Sequence, residues 1–210
     1  CELAMHWLAE DGAPESVLGM LARFEMAIEN RMKDTAEKEE VLGLLERLGE
    51  PTITVARQHL KTCKVFAYPL RLVERVGGQP VALEVVRDLL SDELARQDFK
   101  PKRKTALLVK VADYVDETVL EAVSPFLEDF DEGVRYAAAE AILAQEGDEG
   151  REALIAALVN PDEESNRVRF RIVDGFHNRG WSVAGHEQAV AGCLPDGWTV
   201  QGDRLVRASG

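Results

Sequence analysis

The chain has 210 residues, 46% of them hydrophobic and 30% charged, and a net charge of −13. That is the composition of a soluble globular chain of one domain or two small ones. It excludes a membrane-spanning helix, because no stretch reaches the ~18 uninterrupted apolar residues required. Its acidic balance argues against general nucleic-acid binding, whose affinity comes mainly from lysine and arginine on phosphates.

Residues 1–14 read as a short lead helix, ELAMHWLAEDG. A mature lipoprotein would also begin with cysteine, but this stretch has the pattern of a helix rather than a polar tether, and no basic region precedes an apolar run as in a signal peptide. Cys1, Cys63 and Cys193 are odd in number and far apart, unlike a disulfide framework. A reducing, cytoplasmic compartment is expected, with Cys63 and Cys193 as small buried hydrophobes.

From residue 15 to 194 the pattern is helical. Pro51 and Pro80 stand at first helical positions, and Gly49, Gly77 and Gly147 follow helix ends. Apolar stripes run through Leu107, Val111 and Tyr114, then Val119, Val123, Phe126 and Leu127, then Leu154, Ile155, Leu158 and Val159. The spacing predicts helices over 16–33 and 36–49, 51–63 and 66–77, 79–97 and 101–114, 116–129 and 132–145, and 148–159 and 163–178. A short helix over 186–193 follows. Residues 195–210 read as a two-residue hairpin with Gly202-Asp203 at its turn, Val200 opposite Leu205, and Trp198 and Arg207 on one face. An isolated hairpin is marginal in water, so its apolar face should lie on the last helices.

The helix pairs repeat. Asp131–Ala144 (DEGVRYAAAEAILA) is echoed 34 positions on by SNRVRFRIVDGFHN, with Tyr136 falling on Phe170, Glu140 on Asp174 and Ile142 on Phe176. LLERLGE and LVERVGG carry the echo back to Glu46 and Glu74, with Lys110 in the equivalent slot between; the gaps of 28, 36, 30 and 34 average 32. Paired helices at such a period imply an α-solenoid, because one pair cannot bury both its apolar stripes. The Asp-x-x-Val-Arg-x-Ala-Ala-x-x-Ala-Ile run from Asp131 to Ile142 resembles the second-helix motif of HEAT repeats, in particular the short bacterial HEAT-like type. Ser165–Phe176 keeps Val168-Arg169, whereas the earlier units lack the Val-Arg pair. The 34-residue tetratricopeptide opening is absent. The resemblance implies an all-α fold, an α-solenoid of about five HEAT-like helix pairs with a C-terminal β-hairpin cap. It also implies a ladder in which a loop acid pairs with the following arginine: Arg135 with Asp131, and Arg169 with Glu164 or Ser165.

Charge alternates in sign along the chain. Residues 51–113 carry 12 basic and 7 acidic groups, and residues 114–164 carry 2 and 15. Such segments could pair head-to-tail between copies as a salt-sensitive self-association.

The sequence contains none of the Gly-x-Gly-x-x-Gly, Gly-x-x-x-x-Gly-Lys, His-Glu-x-x-His or Gly-x-Ser-x-Gly motifs, and no catalytic residue is assigned. His177, His186 and Cys193 are spaced nine and seven apart, unlike structural zinc ligands. Asp148, Glu149, Glu152, Asp162, Glu163 and Glu164 lack a calcium loop's glycine punctuation and read as a solvated face. No metal or cofactor is expected. Two surfaces remain. On the second helices, Arg135, Tyr136, Glu140, Arg169, Phe170 and Asp174, with Ala139 and Leu143, fall outward or lateral. Aromatics beside arginines are enriched at binding hot spots, although the two rings could instead pack on the neighbouring repeat. The other surface is Lys100, Lys102, Arg103 and Lys104, positive charge that opposes the dipole at a helix start.

The architecture therefore suggests a non-catalytic scaffold that holds a protein or peptide on its concave face. Two relatives of the repeat widen the choice. One is the lyases that attach bilins to phycobiliproteins. The other is the HEAT-like alkylpurine DNA glycosylases, for which Trp181, Tyr136 and Asp174 would be cast at the site and the acidic 114–164 segment is adverse.

Overall fold

The structure, a computed structural model, describes residues 2–96 and 100–208. The predicted helix end at 97, Cys1 and the last two residues of the predicted hairpin segment lie outside them. The described chain is mainly helical, with one two-stranded antiparallel sheet near its C-terminus. It forms two compact units, dividing between Ala95 and Arg96. None of its helices is long and apolar enough to cross a membrane.

The first unit contains α1 (Glu2–Asp11), α2 (Pro14–Ala22), α3 (Arg31–Leu48), α4 (Pro51–Leu60) and α5 (Ala67–Ala95). α4 lies against α5 and α2, α3 against α5 and α1, and α1 against α2, so that their apolar stripes meet. The helix predicted over 16–33 is broken. It ends at Ala22, turns through a 3-10 segment at Arg23–Glu25 and restarts behind Asn30, whose side chain accepts from the Lys33 N–H at 3.1 Å. The cause is Arg23. Its guanidinium is buried at the turn, donating to Asp34 at 2.8 Å, Glu37 at 3.0 Å and the Met26 carbonyl at 3.1 Å. A buried charge needs such partners, and a continuous helix would carry it past them. The break predicted near Gly77 is present inside α5, at Gly78 with φ 78° and ψ 172°, a left-handed φ that glycine adopts without strain. Pro80 opens the next run.

The second unit contains α6 (Pro101–Val111), α7 (Glu117–Val123), α8 (Glu132–Leu143), α9 (Arg151–Val159), α10 (Asn166–Arg179) and α11 (Glu187–Ala191), then β1 (Trp198–Gln201) and β2 (Arg204–Arg207). α8 lies against α6, α10 and the 3-10 segment Ser124–Glu128. α9 lies against that 3-10 segment, α10 and α11. The helix predicted over 116–129 tightens at Ser124, where Pro125 cannot supply an N–H to continue it. Asp131 caps α8 by accepting from the Val134 N–H at 3.1 Å, and Ser165 caps α10 by accepting from Val168 at 3.2 Å.

Along α8 the alanines at 137, 138, 139 and 141 are all buried with Val134 and Ile142. Ala139 and Leu143 were expected to face outward or sideways; both are buried instead. Gly175 explains the second. A Cβ there would lie 2.5 Å from Leu143 Cδ1, so α10 approaches α8 closely enough to cover that leucine. The hairpin has the predicted register, Val200 opposite Leu205 and Trp198 opposite Arg207. It lies on α10, with Trp198 and Leu205 buried and His177 Nδ1 2.9 Å from the Leu205 carbonyl.

Candidate functional site

The expected partner-binding residues lie on α8 and α10, four of them in two rows that the hairpin adjoins. In the aromatic row, the Arg167 guanidinium stands 3.9 Å over the ring of Tyr136. On α10 and the hairpin, Arg207 stands 5.5 Å over Phe170 and 4.3 Å over Trp198, and the Phe170 and Trp198 rings meet edge to face at 6.1 Å. In the carboxylate row, Arg171 Nε donates to Glu140, and Arg207 donates to Asp174 at 3.4 Å, which also accepts from Asn178 at 2.9 Å. Each aromatic or acid on one element is thus met by an arginine from the next. The sequence equivalences of Tyr136 with Phe170 and of Glu140 with Asp174 are equivalences of position. Tyr136 is half-buried and Phe170 is 41% exposed, so the first ring is largely packing and the second is accessible. Trp181 is buried, edge-on to Phe176 at 5.3 Å, and leaves no open ring face for a base.

Arg135 departs from the expected ladder. It does not pair with Asp131, which is occupied in capping α8. Its Nε and Nη2 donate to Glu163 at 2.7 and 2.8 Å, and its Nη1 donates to the carbonyls of Asp129 and Phe130 at 2.9 and 3.1 Å. Glu163 therefore belongs to no solvated face; its side chain is 2% exposed against 15% for Arg135. Burial pushes the Glu163 carboxyl upward, but the Arg135 hydrogen bonds, the Ser165 N–H and the charges of Arg135 and Arg169 outweigh it, so the group lies below the usual carboxylate range. Arg169 is half-buried, while Glu164, its expected partner, is exposed and Ser165 serves as the α10 cap. Phe130, 89% exposed, stands at the rim of the open acidic cleft above this pair, with Glu128, Asp129, Asp162 and Glu164 around it.

The expected basic patch is divided. Lys100 and Lys102 are exposed, but Arg103 falls on the inward stripe of α6 with Leu107 and Val111 and is buried. Lys104 Nζ donates to Asp129 at 2.7 Å. Four consecutive side chains of a helix point around its axis, so a run of charges in sequence is not one surface.

His177, His186 and Cys193 do not converge: His177 meets the Leu205 carbonyl and His186 stands 3.2 Å from Glu152. Among the described residues, the metal-ligating types that do gather are Glu25, His59 and Cys63. The signal in sequence was HLKTC at 59–63, a histidine and a cysteine one helical turn apart. Burial pushes the His59 imidazole below its usual range, against the pull of Glu25.

Comparison with known proteins gives no assignment: no family model matches the chain, and neither a curated protein nor a solved structure matches it significantly.

Proposed function

We propose that the chain is a non-catalytic scaffold of short HEAT-like helix pairs that holds a protein or peptide partner on the face formed by α8, α10 and the hairpin. The packing of each helix on its near neighbours in sequence within each unit supports the repeat reading. The observation that carries the function is the accessible Phe170 ring, set between Trp198 and Arg207 in a row whose other arginines are already held by Tyr136 and Glu140. A ring fixed in this way loses little entropy on binding, and aromatic and arginine side chains anchor interfaces. Glu140, Asp174 and Arg169 flank it as the polar rim.

The test places a photo-reactive phenylalanine analogue at position 170 and, as control, at the exposed position Lys102, in cells of the source organism. The scaffold reading expects a discrete protein adduct from 170 that is absent from 102 and abolished by Arg207→Glu in a chain of unchanged helicity. Equal labelling at both positions, or none at 170, would remove this face from consideration.

A further inference from the structure

The first unit gathers three donor atoms that the scaffold reading leaves unused. Glu25 ends the 3-10 segment after α2, His59 lies in the last turn of α4, and Cys63 follows in the turn beyond it. The Cys63 N–H donates to the His59 carbonyl at 2.9 Å, so the helical curl continues and places the two side chains on one side. α4 packs on α2, which brings Glu25 to them from another element. A carboxylate oxygen, an imidazole nitrogen and the thiol sulfur all lie within 4.8 Å of one another.

A second observation points to a ligand. His59 is 8% exposed, and its Nε2 is buried with no hydrogen-bond partner, although Glu25 Oε1 is 3.4 Å away. Neither state of that nitrogen is satisfied. Unprotonated, its lone pair faces a carboxylate; protonated, its N–H is not aligned on an acceptor. A buried polar atom left in this way costs free energy. A cation between the two groups satisfies both, and the sulfur beside them adds a third electron-pair donor.

We propose that Glu25, His59 and Cys63 bind one zinc-class divalent ion, through one oxygen, one nitrogen and one sulfur, with the fourth position open on the Glu25 side. The donor set selects the metal. Thiolate and imidazole favour zinc over calcium or magnesium. Zinc bonds of about 2.3 Å to sulfur and about 2.0–2.2 Å to nitrogen and oxygen place tetrahedral donors roughly 3.3–3.6 Å apart. Glu25 and His59, 3.4 Å apart, already stand at that spacing, so the sulfur and the other two donors must draw together by up to about 1 Å. Glu25 can swing to adjust to the ion, since its side chain is 33% exposed. The thiol now donates to the Leu60 carbonyl at 3.8 Å. On binding, the S–H bond breaks, a sulfur–zinc bond forms and the proton passes to the buffer, so uptake weakens as pH falls.

The test uses the full chain carrying Cys1→Ser and Cys193→Ser, stripped with a chelator and titrated with Co2+ and then Zn2+. We expect one equivalent of cobalt to raise a thiolate charge-transfer band with tetrahedral visible bands. Zinc should bleach both and raise the melting temperature. Cys63→Ser should abolish the charge-transfer band. Glu25→Gln, at a surface position that leaves the fold intact, should weaken binding by at least about ten-fold, since even outer-shell partners of a metal are worth about 10–100-fold. A chain that develops no charge-transfer band overturns the proposal. So does cobalt uptake unchanged by Cys63→Ser and Glu25→Gln, which would assign it to the acidic surface.

Discussion

Removing Arg135 should damage the second unit more than removing its partner, because the two ends of the pair are not equally buried. Glu163 is 2% exposed and Arg135 is 15% exposed. In Arg135→Met the carboxylate stays buried, keeping only the Ser165 N–H at 2.8 Å, and two loop carbonyls lose their donor as well. Breaking a buried pair in this way costs about 3–5 kcal/mol. In Glu163→Leu the arginine can turn toward solvent, and the loss is a charged hydrogen-bonded contact, about 1.5–3 kcal/mol. The double variant strands only the two carbonyls and the Ser165 N–H, so it should cost less than Arg135→Met alone, a negative coupling of at least about 1.5 kcal/mol. The assay is urea unfolding at pH 7 in a Trp7→Phe background, so that the fluorescence comes from Trp181 and Trp198, both in the second unit. Additive losses, or single costs below about 1 kcal/mol, would show an ordinary exposed ion pair and refute the reasoning.

Further outcomes follow from the same geometry. The Glu163 carboxyl is depressed in the folded chain, so the unfolded chain binds the proton more readily as acid is added. The stability it contributes is present above the ordinary carboxylate value of about 4.3 and is lost as pH falls through the folded value. The double variant should therefore show a flatter acid limb in urea midpoints than the parent, and an unchanged limb would contradict the assignment. Gly175→Ala sets a helix-propensity gain of about 1 kcal/mol against overpacking of Leu143 costing about 1–3 kcal/mol. A net drop in the thermal midpoint is expected, and Leu143→Ala in the same chain should recover part of it. Head-to-tail pairing of the basic 51–113 and acidic 114–164 segments predicts a sedimentation mass that falls as salt rises from 20 mM to about 1 M, where the screening length is about 3 Å. A salt-independent monomer would dismiss it.

Much of the fold was legible because its signals are local. Gly49, Pro51 and the Gly202-Asp203 turn each act on their own stretch of backbone, and each marks an element boundary that is present. Where a local reading went astray, a distant side chain had intervened. Nothing between residues 16 and 33 announces that Arg23 will turn inward to Asp34 and Glu37. Nothing in α8 shows that Leu143 will be covered, because the missing Cβ that allows it belongs to Gly175 on another helix. The residues proposed for the candidate face were picked out by the echo in sequence, which did not show what surrounds each of them. Arg135 and Tyr136 are committed to neighbours, and Phe170 stands accessible.

The amino-acid order alone specified the mainly helical class of the chain and the hairpin register, since those rest on backbone dihedrals, turn residues and the 3.6- and 2-residue periodicities. The tertiary structure decided which charge meets which. Arg135 finds Glu163 rather than Asp131, Lys104 finds Asp129 rather than solvent, and Glu25 reaches His59 and Cys63. Coulombic and hydrogen-bonding partners are chosen by distance in space, and a chain brings together in space residues that its order keeps apart.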